Sequence, residues 1–165
     1  MKKIVTGLIA ASLLLCLKEV QAQNVTNDFD QLKLAQKYLV GTWQEVTSND
    51  TVNIWEIKQD GNVLVETDYI IVNGKKSIAS YWTYSYKPER NNFYMFAAFV
   101  NGGCRTLIGS FTAENKWCQE YFTLFNSEKY LGKAEFVFDT PTSYTVTGFN
   151  PEGTKVGEAK YSKVK

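Results

Sequence analysis

Asn62-Val63-Leu64-Val65-Glu66-Thr67-Asp68-Tyr69-Ile70-Ile71-Val72-Asn73-Gly74-Lys75-Lys76-Ser77-Ile78-Ala79-Ser80-Tyr81-Trp82-Thr83-Tyr84-Ser85-Tyr86-Lys87 consists of two β-rich runs around a two-residue break. Asn-Gly tolerates the two positive φ angles of a type I′ turn, so Asn73-Gly74 predicts a tight hairpin. Val, Ile, Thr, Tyr and Trp dominate both arms, as a pleated, half-buried surface requires. On the second arm Ile78, Trp82, Tyr84 and Tyr86 share one face. Ser77, Ala79, Thr83 and Ser85 share the other with Tyr81. Period-two alternation therefore turns the aromatic face inward. On the first arm Val63, Val65, Tyr69 and Ile71 share a face with Thr67, and Tyr69 is read as facing the interior.

The same punctuation continues in both directions. Turn signals fall at Ser48-Asn49-Asp50, Asp60-Gly61, Pro88 to Asn92, Asn101-Gly102-Gly103, Ala113 to Lys116, Asn126 to Lys129, Asp139 to Thr142 and Asn150 to Gly153. With Asn73-Gly74 they separate ten short strands, and every connection is short. Successive strands are therefore expected to be antiparallel neighbours. A meander of this length leaves two long edges, which closure removes. The sequence predicts an all-β, ten-stranded up-and-down barrel over 41–164, with a two-sheet sandwich as the competing arrangement. Ahead of it, Asp28 and Gln31 have capping-box spacing, and Phe29, Leu32, Ala35 and Leu39 recur at helical spacing. One helix over 29–39 is expected, packed at the closed end of the barrel.

Composition narrows the chemistry. Met1-Lys2-Lys3, the apolar run Ile4 to Leu17 and Val20-Gln21-Ala22 have the order of a secretory signal peptide cleaved after Ala22. The expected mature chain, 23–165, is a single domain, secreted or periplasmic, with no membrane-spanning segment. Loss of Lys2, Lys3, Lys18 and Glu19 takes the chain from 18 basic and 17 acidic residues to 15 and 16. A net charge near −1 disfavours nucleic-acid binding through bulk charge. The absence of histidine excludes Ser-His-Asp and Cys-His catalysis, His-ligated haem and most zinc sites. Leu15 before Cys16 disfavours lipid attachment. If Ala113 to Lys116 turns a hairpin, Cys104 and Cys118 lie roughly 20 Å apart along the ladder at strand rise. A Cys104–Cys118 disulfide is thus possible in an oxidising compartment but not favoured.

Leu39-Val40-Gly41-Thr42-Trp43 opens the first strand, and Val46-Thr47-Ser48-Asn49 follows. This resembles the Gly-x-Trp opening of the calycin superfamily, the lipocalins and fatty-acid-binding proteins. The preceding helix, the strand count and the mature length agree with that resemblance. It implies a structural Trp43 plugging the closed end. The chain departs from the family at three places. Ser48-Asn49-Asp50 turns directly where fatty-acid-binding proteins insert a two-helix lid. Lys160-Tyr161-Ser162-Lys163 replaces their carboxylate-gripping Arg-x-Tyr. No histidine is present for the haem-binding relatives.

The expected function is non-catalytic binding of a small, mostly apolar ligand inside the barrel by a monomer without a cofactor. Trp55, Tyr69, Trp82, Tyr84, Tyr86, Phe122 and Tyr144 are the candidate cavity walls, and Arg105 is the candidate for an acidic ligand group. The plain reading of the same aromatics is a filled core, in which case the protein is a ligand-free interaction module, an inhibitor or surface-assembly component. Glu56, Glu66, Asp68, Glu120 and Glu135 are expected to be outward solubilising charges. Strand parity over 93–111 stays open, because Phe93, Met95 and Phe99 oppose Tyr94, Phe96 and Val100 with nearly equal apolar weight.

Overall fold

The computed structural model of the chain describes residues 29–122 and 129–164. The signal segment, Cys16, Asp28 and most of the turn Asn126 to Lys129 lie outside the described residues. After helix α1 (Gln31–Tyr38) come ten strands: β1 (Gly41–Ser48), β2 (Thr51–Asp60), β3 (Val63–Val72), β4 (Lys75–Lys87), β5 (Asn92–Phe99), β6 (Cys104–Ala113), β7 (Lys116–Phe122), β8 (Tyr130–Thr140), β9 (Ser143–Phe149) and β10 (Lys155–Lys163). Each strand pairs antiparallel with its sequence neighbours, and β10 closes on β1 through Trp43–Lys163 and Gln44–Ser162. The result is a closed barrel, not a sandwich. Asn73 and Gly74 have φ of 49° and 77°, the two left-handed positions of the type I′ turn.

The helix is shorter than its sequence pattern. It starts at Gln31, and Asp30 is the N-cap, its carboxylate accepting from Lys33 N at 3.0 Å. The buried stripe is Gln31, Leu34, Ala35 and Tyr38, and Phe29 is 36% exposed. Gln31 can be buried because both ends of its amide are used. Its Nε2 donates to Phe111 O at 2.9 Å, and Phe111 N donates to its Oε1 at 2.6 Å. Phe111 lies two residues past the last β5–β6 pair, Phe93 with Gly109, so a side chain supplies the partners there. Tyr38 rests on Phe111 and Phe138, with ring centroids 6.1 and 4.8 Å away.

One irregularity determines what lines the interior. From the Asn73-Gly74 turn the β3–β4 ladder runs in register from Val72–Lys75 to Tyr69–Ile78, and the next pair is Asp68–Ser80. Ala79 is the extra residue of a β-bulge. Beyond it Asp68 faces Ser80, Glu66 faces Trp82 and Leu64 faces Tyr84. The bulge exchanges faces, because side-chain direction alternates with period two. Leu64, Glu66 and Asp68 are buried, and Val65 is exposed. The expected inward face of β3, with Val63, Val65, Thr67 and Tyr69, is therefore the outer one. Ile78 is 37% exposed on the far side of the bulge, whereas Trp82, Tyr84 and Tyr86 keep the inward direction expected of them. The open parity of β5 resolves with Phe93, Met95 and Ala97 buried.

Candidate functional site

The barrel interior has two parts. Near α1 it is filled by Trp43, Phe93, Phe111, Trp117 and Phe138, all essentially without exposure. Trp43 is 0% exposed and donates from Nε1 to Leu39 O at 2.9 Å, at the C-terminal cap of α1. Trp43 and Trp117 of this filled end also border a cavity of about 230 Å³ that continues away from α1. Trp55, Trp82, Tyr84, Tyr144 and Arg105 line it. Three of the expected wall residues do not. Tyr69 points outward, with Lys76 Nζ 3.6 Å from its ring centre. Tyr86 lies toward the helix, where its ring meets Phe93 and its hydroxyl bonds Asn91 Oδ1 at 3.0 Å. Phe122 belongs to a separate groove on the outer face, with Thr83, Tyr94, Phe96 and Ile108. The bulge explains Tyr69. A bulge at Leu131 on β8, between Phe122–Tyr130 and Tyr121–Gly132, accompanies the outward turn of Phe122.

The wall contains residues for which hydrophobic patterning gave no signal. Glu66 and Asp68 are 3% and 9% exposed and both line the cavity, correcting the expectation of outward charges. Glu56 fits that expectation, pairing with Lys76 at 3.2 Å. Glu135 likewise pairs with Lys116 and Lys133, both at 2.7 Å. Asp68 Oδ2 accepts from Ser80 Oγ at 2.5 Å and from Trp82 Nε1 at 2.7 Å. Tyr84 Oη donates to Glu66 Oε2. Asp68 Oδ1 is buried and has no hydrogen-bond partner. Across the cavity Trp117 Nε1 donates to Gln119 Oε1 at 3.2 Å, and Gln119 Nε2 to Tyr121 Oη at 2.8 Å. Burial first, then the charge of Asp68, holds the Glu66 carboxyl well above the usual carboxylate range. Burial also pushes the Tyr84 and Tyr144 hydroxyls far up, so both stay neutral donors.

Nearer the rim, Glu45 Oε2 accepts from Asn53 Nδ2 at 2.9 Å and from Tyr161 Oη at 3.0 Å. Arg105 stands on the inward-facing register of β6 but is exposed at the mouth, its guanidinium 5.4 Å from the Phe99 ring centre. Cys104 and Cys118 are free thiols. Cys118 pairs with Ser110, which leaves Cys104 six residues further along β6, about 20 Å at strand rise. Among the described residues no group of three or more Cys, Asp or Glu side chains is placed to hold a metal ion. No described helix is long and apolar enough to cross a membrane.

No protein-family profile matches the chain, and no curated protein is significantly similar to it.

The site has hydrogen-bond acceptors deep in an aromatic enclosure and a single cationic side chain at its mouth, counted over the described lining residues. Such an arrangement can hold an apolar body and orient it through a donor group. Period two alone puts Glu66 and Asp68 on the face of Leu64; that this face lies inward beside Trp82 needs the bulge.

Proposed function

We propose that this protein is a secreted or periplasmic, lipocalin-like, non-catalytic binder of a small, mostly apolar ligand carried inside the barrel. In this reading α1 and Trp43 close one end, as the calycin resemblance implies, and the ligand enters past Arg105. The observation that carries the reading is the aromatic-walled cavity into which a buried, unpartnered carboxylate oxygen of Asp68 is set. A buried acceptor without a donor is costly, and a ligand that supplies the donor removes that cost. Apolar surface removed from water contributes about 25 cal/mol per Å² before the entropy of association is subtracted.

The cavity size selects among ligands. At about 230 Å³ it lies below the range of roughly 300–1,000 Å³ common for ligand pockets. One or two fused rings fit this volume better than a fatty acid, a sterol or a porphyrin. The test is a titration with 2-naphthol followed by Trp emission and calorimetry. Saturation near one site per chain is expected. Trp82→Ala should weaken binding and Phe122→Ala should not. The opposite pattern moves the ligand to the outer groove. No saturable binding at all supports the other reading, an interaction module whose contacts are made by that groove, with Tyr94 and Phe96 beside Phe122.

A further inference from the structure

Beyond its size, the cavity has a charge. The charged side chains among its described lining residues are Glu66, Asp68 and Arg105. Arg105 is exposed to solvent at the mouth, where its field is screened. The two acids are buried on adjacent inward positions of β3. Lys163 Nζ lies 4.9 Å from the Trp43 ring centre and does not line the cavity. The buried part of the site thus carries negative charge with no cation of its own.

Hydrogen bonding points the same way. Asp68 Oδ2 is fully used by Ser80 and Trp82, while Oδ1 is buried without a partner. The neighbours cannot fill that place. Tyr84 donates its hydroxyl hydrogen bond to Glu66, and Tyr121 accepts from Gln119. Burial and the nearby charge of Asp68 favour a proton on the Glu66 carboxyl. That proton neutralises part of the charge that burial makes costly. Four indole and three phenol rings, those of Trp55, Trp82, Tyr84 and Tyr144 among them, line the same space. Aromatic faces attract cations and also stack on flat apolar groups.

We propose that the ligand is a small arylalkylamine bound as its ammonium ion, with the N–H groups on Asp68 and Glu66 and the ring among Trp55, Trp82 and Tyr144. The ammonium takes the place of the proton on Glu66: that O–H bond breaks, the proton passes to water or buffer, and no other covalent bond changes. Binding therefore releases a proton. The groups facing this exchange are Glu66 and Asp68 on β3, Tyr84 on β4, Tyr144 on β9, Tyr161 on β10, Tyr121 on β7, Glu45 on β1 and Arg105 on β6. The neutral tyrosines and the raised affinity of Glu66 for its proton agree with this order of events.

This inference rests on the cavity-binding reading, and one experiment separates the two. The purified protein is titrated calorimetrically, near neutral pH, with 2-phenylethylamine, 2-phenylethanol and phenylacetate in phosphate and in Tris. The amine should bind at least about tenfold more tightly than the alcohol, as a charge-assisted hydrogen bond allows. Phenylacetate should bind most weakly. The heat for the amine should differ between the buffers, reporting proton release, and that for the alcohol should not. Asp68→Asn keeps an acceptor for Ser80 and Trp82 and should bring the amine-to-alcohol ratio to about one. An alcohol as tight as the amine in the unmodified protein overturns the proposal but leaves cavity binding intact. A ratio that survives Asp68→Asn also overturns it. If none of the three compounds saturates, cavity binding fails and the amine assignment fails with it.

Discussion

The two halves of one barrel interior use the same residue types in opposite ways. Beside α1, Trp43 packs edge-on to Tyr144 with centroids 4.7 Å apart, and Phe111 and Trp117 lie 5.2 Å apart in the same manner. Each ring closes the gap left by another, and the one indole N–H at Trp43 is answered by the backbone at Leu39. In the other half Trp55 and Trp82 border empty space, and the indole of Trp82 is spent on a carboxylate. Even Gly109 serves the filled half: a Cβ there would lie 2.2 Å from the Trp117 ring, so a side chain is excluded to admit the indole. The difference teaches that aromatic content alone does not say whether a barrel is filled. Rings meet rings in both parts, as Trp55 on Tyr161 at 4.1 Å shows, and the space is left where the buried acids Glu66 and Asp68 stand among them.

The strongest way to break this comparison is to empty each half in turn. Trp43→Ala should cost about 3–5 kcal/mol of unfolding free energy, as for a large aromatic removed from a packed core. Trp82→Ala should cost less, about 1–3 kcal/mol, because Trp82 is only partly buried whereas Trp43 is fully so. Denaturant midpoints and slopes for the two variants measure this, and equal losses would show that the halves are packed alike.

A subtler difference lies in pH dependence. A glutamate in the unfolded chain titrates near 4.5, and the folded Glu66 carboxyl sits well above that. Between those two values the folded protein keeps a proton that the unfolded chain has lost. The contribution of Glu66 is therefore fully present below about pH 4.5, and it is lost as pH rises through the folded value. Glu135 and Glu158, lowered mainly by hydrogen bonds from their lysines, act below the usual range and with the opposite sign. Glu66→Gln should flatten the decline on the rising-pH side, as followed by denaturation midpoints across pH. An unchanged slope would mean that burial in this half does not set the titration.

The smallest expected effect is at the rim. Arg105→Ala should change stability by no more than about 0.5 kcal/mol, as for an exposed side chain outside any network. If Arg105 meets ligands at the mouth, the variant should weaken a small aromatic acid more than its methyl ester. Equal loss for both, measured by the same Trp emission titration, would remove Arg105 from the site.

Much of the architecture was legible from local chemistry. Asn73-Gly74 and the other short turns could be read because each depends on a few adjacent residues. Trp82 and Tyr84 could be read as inward because large rings on one face of a strand have nowhere else to be buried, whereas Trp43 was legible only through the Gly-x-Trp resemblance. Cys104 and Cys118 were separated by register alone. What the sequence could not determine was decided by a single extra residue. Without the bulge at Ala79, the ladder that starts at Val72–Lys75 would place Val65 beside Trp82 and keep Tyr69 on the inner face. With it, Glu66 takes that place and Tyr69 faces out. A bulge has no obligatory residue at its position. Its stabilisation comes from the neighbours on both sides, here Trp55 opposite Asp68 on β2 and Phe99 opposite Ser80 on β5. Turns and ring burial are properties of short stretches of chain, whereas the face that a strand presents is a property of the closed sheet. The acidic cavity therefore exists only in the tertiary structure.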